Sequence, residues 1–186
     1  MTGGLLKLLV SLVAVSFAII PVATAAASLN ASSVYTAQRG AGGPVTAPDA
    51  NGDSFGQFGD GGPITGAFNG PIGWHFNYVV HTRTGLMEGT GTATCDPCTV
   101  AGLTGAVTFT VTQSGPGSVF SCAPNYCAQF TVVSGTWAIA GATGALAGIT
   151  GAGNWAEANH SRFLTGSISL SNDCDDDGDG DDECSD

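Results

Sequence analysis

The sequence predicts an all-β protein: an antiparallel up-and-down β-barrel of about eight strands, carrying a flexible N-terminal arm. Three observations predict it. Glycine is abundant, at 29 of 186 residues. Several runs alternate strictly between apolar and polar residues and are separated by tight-turn signals. No amphipathic helical period of useful length appears. Only 10% of residues are charged, so the composition is not that of a chain kept unfolded by its own charge.

The chain opens with Met1, one cation at Lys7, the apolar run "LLVSLVAVSFAII", the helix breaker Pro21 and the small residues "VATAAAS". That order is a secretory signal peptide over residues 1–27, cleaved after Ala25 or Ala27. The rival is an uncleaved anchor, but the run falls short of the ~20 apolar residues a span needs. Export implies a secreted protein with no membrane span after cleavage. In that compartment the six cysteines read as three disulfides before they read as metal thiolates.

Residues 28–63 are rich in Gly, Ala, Pro and Asp without sustained periodicity, and read as the arm or linker. The barrel is expected over 64–171. "WHFNYVVHT" puts Trp74, Phe76, Tyr78 and Val80 on one face and His75, Asn77, Val79 and His81 on the other. "GAVTFTVTQ" sets Val107, Phe109 and Val111 against Thr108, Thr110 and Thr112. "QFTVV" and "FLTGSISL" supply Phe130, Val132, Leu164, Ile168 and Leu170. The turn signals are "RTG", "CDPC", "SGPG" and "APNY".

One stretch, "GTWAIAGATGALAGITGAGNW" over 135–155, has no charge and a tryptophan near each end. As a helix it has the length of a membrane span. Its large apolar groups are only Trp137, Ile139, Leu146, Ile149 and Trp155, diluted by glycine, threonine and asparagine. Two strands turning near 142–144 suit it better, with glycines where coiled strands cross closely.

The pattern Gly135-Thr136-Trp137-x-Ile139-x-Gly141-x-Thr143-Gly144-x-Leu146-x-Gly148-x-x-Gly151-x-Gly153 resembles the glycine-rich hairpin of the allene oxide cyclase-like and dirigent-like barrels. A last strand comparable to "RFLTGSISL" follows it there. The resemblance covers about 35 residues and implies an eight-stranded up-and-down barrel with an apolar lumen, often a homo-oligomer. The acidic, cysteine or arginine residues that guide chemistry in that family have no alignable position here, so the resemblance carries over no catalytic residue.

His75, Asn77 and His81 share a strand face and would act as acid, base or polar anchor if that face lined the lumen. His75 and His81 lie roughly 20 Å apart along a strand, too far to share a metal, and the opposite face is plainly the apolar one, so a solvent face is the simpler reading. His160, Glu157 and Arg162 read as solvated charge in a polar loop. Arg83 and Glu88 flank Gly85 where they would pair across a hairpin, worth about 0–1 kcal/mol.

Cys95-Asp-Pro-Cys98 and Cys122-x4-Cys127 have zinc-like spacing, and the first pair a redox-like one, but export favours oxidation. Ala123-Pro124-Asn125-Tyr126 suits a type I turn that brings Cys122 to Cys127. Pro97 in trans suits a tight Cys95 to Cys98 turn poorly. Six cysteines leave fifteen pairings open.

Nine of the fifteen acids lie in residues 173–186, against four Lys and Arg in the whole chain. The near-neutral remainder cannot neutralise a row of phosphates, which excludes nucleic acid as a partner. The tail, "DCDDDGDGDDECSD" from Asp173, presents Asp173, Asp175, Asp177, Asp179 and Asp181 at alternate positions with glycines between, the pattern of a calcium loop. It resembles a single thrombospondin type 3 calcium repeat, which Cys174 and Cys184 would close. The opposite reading is a solvating acidic tail.

No nucleophile elbow, zinc-protease helix or phosphate loop is present. The expected function is therefore binding of a small apolar molecule in the lumen, lined by Trp74, Phe76 and Tyr78. The alternatives are a cyclase- or dirigent-like isomerase steering a reactive intermediate, and a non-catalytic surface protein with a calcium-responsive tail.

Overall fold

The computed structural model of the chain describes residues 27–36, 44–130, 133–158 and 161–170. These residues form nine strands: β1 (Ala27–Thr36), β2 (Asp53–Gly66), β3 (Gly70–His81), β4 (Leu86–Val100), β5 (Leu103–Cys122), β6 (Asn125–Phe130), β7 (Ser134–Ala142), β8 (Thr150–Ala158) and β9 (Ser161–Leu170). Neighbours pair antiparallel in the order β4-β3-β2-β1-β9-β8-β7-β5, and β4 pairs back onto β5. Eight strands thus close into a barrel with no free edge, and β6 folds against the far half of β5 as an extra hairpin. Among the described residues no helix is long and apolar enough to cross a membrane.

The alternation predicted for β3 and β5 sets their facing. Trp74, Phe76, Tyr78 and Val80 point inward, as do Val107, Phe109 and Val111, while His75, Asn77, Thr110 and Thr112 point out. The lower lumen is filled by Phe68, Phe109 and Trp137, whose rings meet edge-on at 5.0–6.0 Å. The 135–155 stretch is a hairpin, β7 and β8 joined through a 3-10 turn at Gly144–Leu146. The indole of Trp137 donates to the carbonyls of Asn154 and Thr165, at 3.2 and 3.1 Å.

The expected boundary at Ile64 falls inside β2, and most of the expected arm belongs to the barrel. β1 pairs along its whole length with β9, and β2 pairs with β3 over twelve positions from Asp53 to Ile64. Leu29, Ala31, Ser33 and Tyr35 face inward on β1, and small Ala31 and Ser33 make that alternation weak in hydrophobicity. The glycines of β2 hide its period in the same way.

Among the described residues two disulfides are formed, Cys95–Cys98 and Cys122–Cys127. The first lies in the core and coincides with a register shift in β4; the second brackets the tip of the β5–β6 hairpin. The Asp96–Pro97 and Ala123–Pro124 peptides are cis. The hairpin tip is accordingly a two-residue turn at Ala123–Pro124 with proline third of four, a cis-proline turn in place of the type I turn expected. With both pairs joined as disulfides, these four cysteines offer no thiolates for zinc. Residues 1–26 of the expected leader, and the acidic tail with Asp173, Asp175, Asp177, Asp179, Asp181, Cys174 and Cys184, lie outside the described residues.

Candidate functional site

Strand parity places a charge inside the barrel. On β9, Arg162 shares the inward face with Leu164 and Ile168, and only 3% of its side chain is exposed. In register beside it are Tyr35 on β1 and Glu157 on β8. Asp60, inward on β2 and 7% exposed, completes the group. The guanidinium takes Asp60 in a two-pronged pair, Nη1 to Oδ1 at 2.9 Å and Nη2 to Oδ2 at 2.8 Å. Its Nε donates to Glu157 Oε2 at 3.2 Å. Tyr35 donates its hydroxyl proton to Asp60 Oδ1 at 2.9 Å. Burial, then the adjacent Asp60 charge, push the Tyr35 phenol well above its ordinary value, so it stays a donor.

Aromatic rings close around this cation. The guanidinium carbon lies 5.0 Å from the centroid of Trp74, 5.5 Å from those of Tyr35 and Trp155, 5.7 Å from Phe58 and 5.9 Å from Phe76. Each is within cation–π range. Trp74 and Phe76 stack at 5.8 Å, Phe58 stacks on Phe76 at 5.1 Å, and Tyr78 meets Phe130 edge-on at 5.0 Å. Trp74, Phe76 and Tyr78, expected to line the lumen, therefore point inward as predicted, but Trp74 and Phe76 pack on each other and on Arg162, and Tyr78 packs on Phe58 and Phe130. The solvated-charge reading of Glu157 and Arg162 is overturned for the same reason; His160 lies outside the described residues. The signal was available in the spacing of Arg162, Leu164 and Ile168, which puts arginine on an apolar strand face.

Outside the barrel, the strand face bearing His75 and Asn77 is solvent-exposed, which is the simpler of the two readings. Arg83 and Glu88 do not pair. Arg83 donates to the Ala50 carbonyl at 2.7 Å, while Glu88 lies 3.6 Å from His81 Nε2. His81 Nδ1 meets Asp53 at 2.8 Å. The hydrogen bond to Asp53 raises the His81 pKa above its ordinary 6.5, against a smaller opposing effect of burial and with help from the Asp53 and Glu88 charges. A raised folded-state value means the protonated ring contributes stability that is complete below the unfolded value and is lost as pH rises through the folded one. In an NMR titration the His81 midpoint is expected above 6.5, with Asp53→Asn lowering it more than Glu88→Gln. Equal midpoints in wild type and Asp53→Asn contradict this account.

The same outer face carries an open groove of about 570 Å³, lined among others by Phe55, Asn77, Glu88, Thr90, Thr112 and Gln113. A second concavity of about 380 Å³ adjoins it, sharing Asn77, Thr90 and Thr112 and extending to Thr92, Thr110 and Thr136. β4 forms the floor because Gly89 and Gly91 point inward without side chains. A Cβ at Gly89 would stand 2.9 Å from Gln113 Nε2 and 3.0 Å from Tyr78 Cβ, so the strand rests directly on interior groups. The outward threonines of β4 are visible in the T-x-T-x-T of "GTGTAT", a signal the hydrophobic pattern does not register.

Among the described residues, no group of three or more His, Cys, Asp or Glu side chains is placed to hold a metal ion. No protein-family model matches the chain, and no curated protein matches it either, so the likeness of its glycine hairpin to the cyclase and dirigent barrels rests on the hairpin and on the eight-stranded architecture alone.

Proposed function

We propose that this chain is an exported, non-catalytic binding barrel that seats a small amphipathic molecule in the groove on the outer face of β2, β3, β4, β5 and β7. The observation that carries this reading is where open space and free polar groups coincide. The inward aromatic rings are committed to each other and to Arg162, whereas the groove of about 570 Å³ is open and combines the exposed Phe55 ring with hydroxyl, amide and carboxylate groups. A ligand in the lumen would first have to separate stacked rings; a ligand in the groove displaces only water.

The isomerase reading draws on the hairpin likeness and on the polar group inside the barrel, Arg162 with Asp60 and Tyr35. Those groups satisfy one another.

Heteronuclear NMR of the isotope-labelled chain against a library of small amphipathic molecules separates the two. Binding is expected to move the amides of Gly89, Thr90, Thr112 and Gln113 and to leave the indole signals of Trp74 and Trp155 in place. Indole shifts with a silent groove overturn the proposal in favour of a lumen site.

A further inference from the structure

We infer that the groove's ligand is a neutral oligosaccharide, recognised by a grid of threonine hydroxyls with one aromatic ring at its end. The inference rests on the groove being the binding site.

The grid comes from strand register. Asn77 on β3 stands opposite Thr90 on β4, and Thr90 opposite Thr112 on β5. The Thr112 hydroxyl lies 2.9 Å from that of Thr136 on β7 and accepts the Thr136 backbone N–H at 3.0 Å. One step along the strands, Thr92 stands opposite Thr110. The result is a two-row lattice with about 4.8 Å between strands and about 6.7 Å along them. The hydroxyls of Thr90 and Thr92 have no partner among the described residues, so they face the groove with donor and acceptor capacity unspent.

Chemistry then selects the class. No Lys or Arg lines either concavity, and Glu88 is the one charged side chain there, so phosphates, sulfates and other anions are disfavoured. The apolar lining comes from Phe55, Tyr78 and Val79 together with backbone and methyl carbons, and it forms an open surface with no enclosed slot for a lipid tail. A polyol needs many uncharged donors and acceptors, and a sugar ring also offers a C–H face that stacks on an exposed aromatic. Phe55, 52% exposed at one end of the groove, supplies that surface. The adjoining concavities give a run longer than a single ring requires.

The test titrates the full chain with cellohexaose, laminarihexaose, maltohexaose and chitohexaose, followed by calorimetry and by NMR. At least one is expected to bind saturably, shifting the amides of Asn77, Thr90, Thr112 and Thr136. Phe55→Ala is expected to weaken that binding about tenfold, and Thr112→Val, which keeps side-chain shape, by a similar factor. Phe55 is exposed and Thr112→Val gives up its bonds to Thr136, so the melting curve of each variant is compared with wild type before its binding is scored. No saturable binding by any of the four, or binding indifferent to both substitutions, overturns the inference. If the amphipathic library moves the groove amides while the oligosaccharides do not, this inference falls and the groove reading stands. If neither moves them, both fall.

Discussion

Replacing Arg162 with alanine is expected to destabilise the barrel by about 3–5 kcal/mol, seen as a fall in Tm of roughly 10–20 °C. The reason lies less in what the arginine gains than in what its loss leaves behind. Asp60, 7% exposed, and Glu157, 25% exposed, would face one another without a cation between them. Five rings would also surround an empty space where the guanidinium stood. Lysine is expected to restore only part of the loss, because a point charge cannot grip both Asp60 oxygens while donating to Glu157. The shape of the space suggests a direct check. Millimolar guanidinium, far below denaturing concentration, is expected to raise the Tm of Arg162→Ala and to leave wild type unchanged. A variant that melts within a few degrees of wild type, with no response to guanidinium, would show that the buried cluster is dispensable.

The cluster also explains how a barrel this poor in charge tolerates four ionisable side chains in its wall. Arg162, Glu157 and Tyr35 lie side by side across β8, β9 and β1, in register, and Asp60 reaches them from β2. A buried ion pair of this kind is weak as a source of stability and strong as a penalty for misregistration. A one-residue slip of β9 would turn Arg162 outward and put Phe163 in its place, leaving Asp60 unpaired inside. The same parity argument shows where sequence reading works. Strands β3 and β5 were legible because bulky apolar and polar residues alternate cleanly in them. β1 and β2 were not, since Ala31, Ser33, Gly56 and Gly62 occupy inward positions and carry little hydrophobic signal.

Much of the candidate site was invisible for a related reason. Threonine is a good strand former whichever face it occupies, so T-x-T-x-T on β4 and β5 announces strands without announcing a surface. Only the pairing of Thr90 with Thr112 and of Thr92 with Thr110 makes a grid of them, and pairing across strands is not written in either strand alone. Phe55 presents the opposite difficulty. In a run as glycine-rich as "SFGQFG" nothing distinguishes an outward phenylalanine from the inward Phe58, until the register of β2 with β3 fixes which side each takes.

Gly153→Ala is expected to be nearly as damaging as the loss of Arg162, at about 3 kcal/mol or more. Gly153 on β8 stands opposite Gly166 on β9, and a Cβ at Gly153 would run into the Thr165 carbonyl oxygen and stand 2.7 Å from Gly166 Cα. Backbone cannot swing aside as a flexible side chain can, so the two strands would have to part. The Trp137 indole is held by the Asn154 and Thr165 carbonyls on those same strands, and parting them would loosen its seat. Gly141, in the same glycine pattern on β7, is the control: a Cβ there meets nothing within 4 Å. Gly141→Ala is expected to be neutral or to gain up to about 1 kcal/mol by restricting the unfolded chain. Chemical denaturation of the two variants measures both effects. Equal costs at 141 and 153 would mean that the hairpin's glycines serve chain flexibility; a large cost confined to 153 means that the motif exists to let β8 and β9 touch backbone to backbone, with Trp137 clamped across the contact.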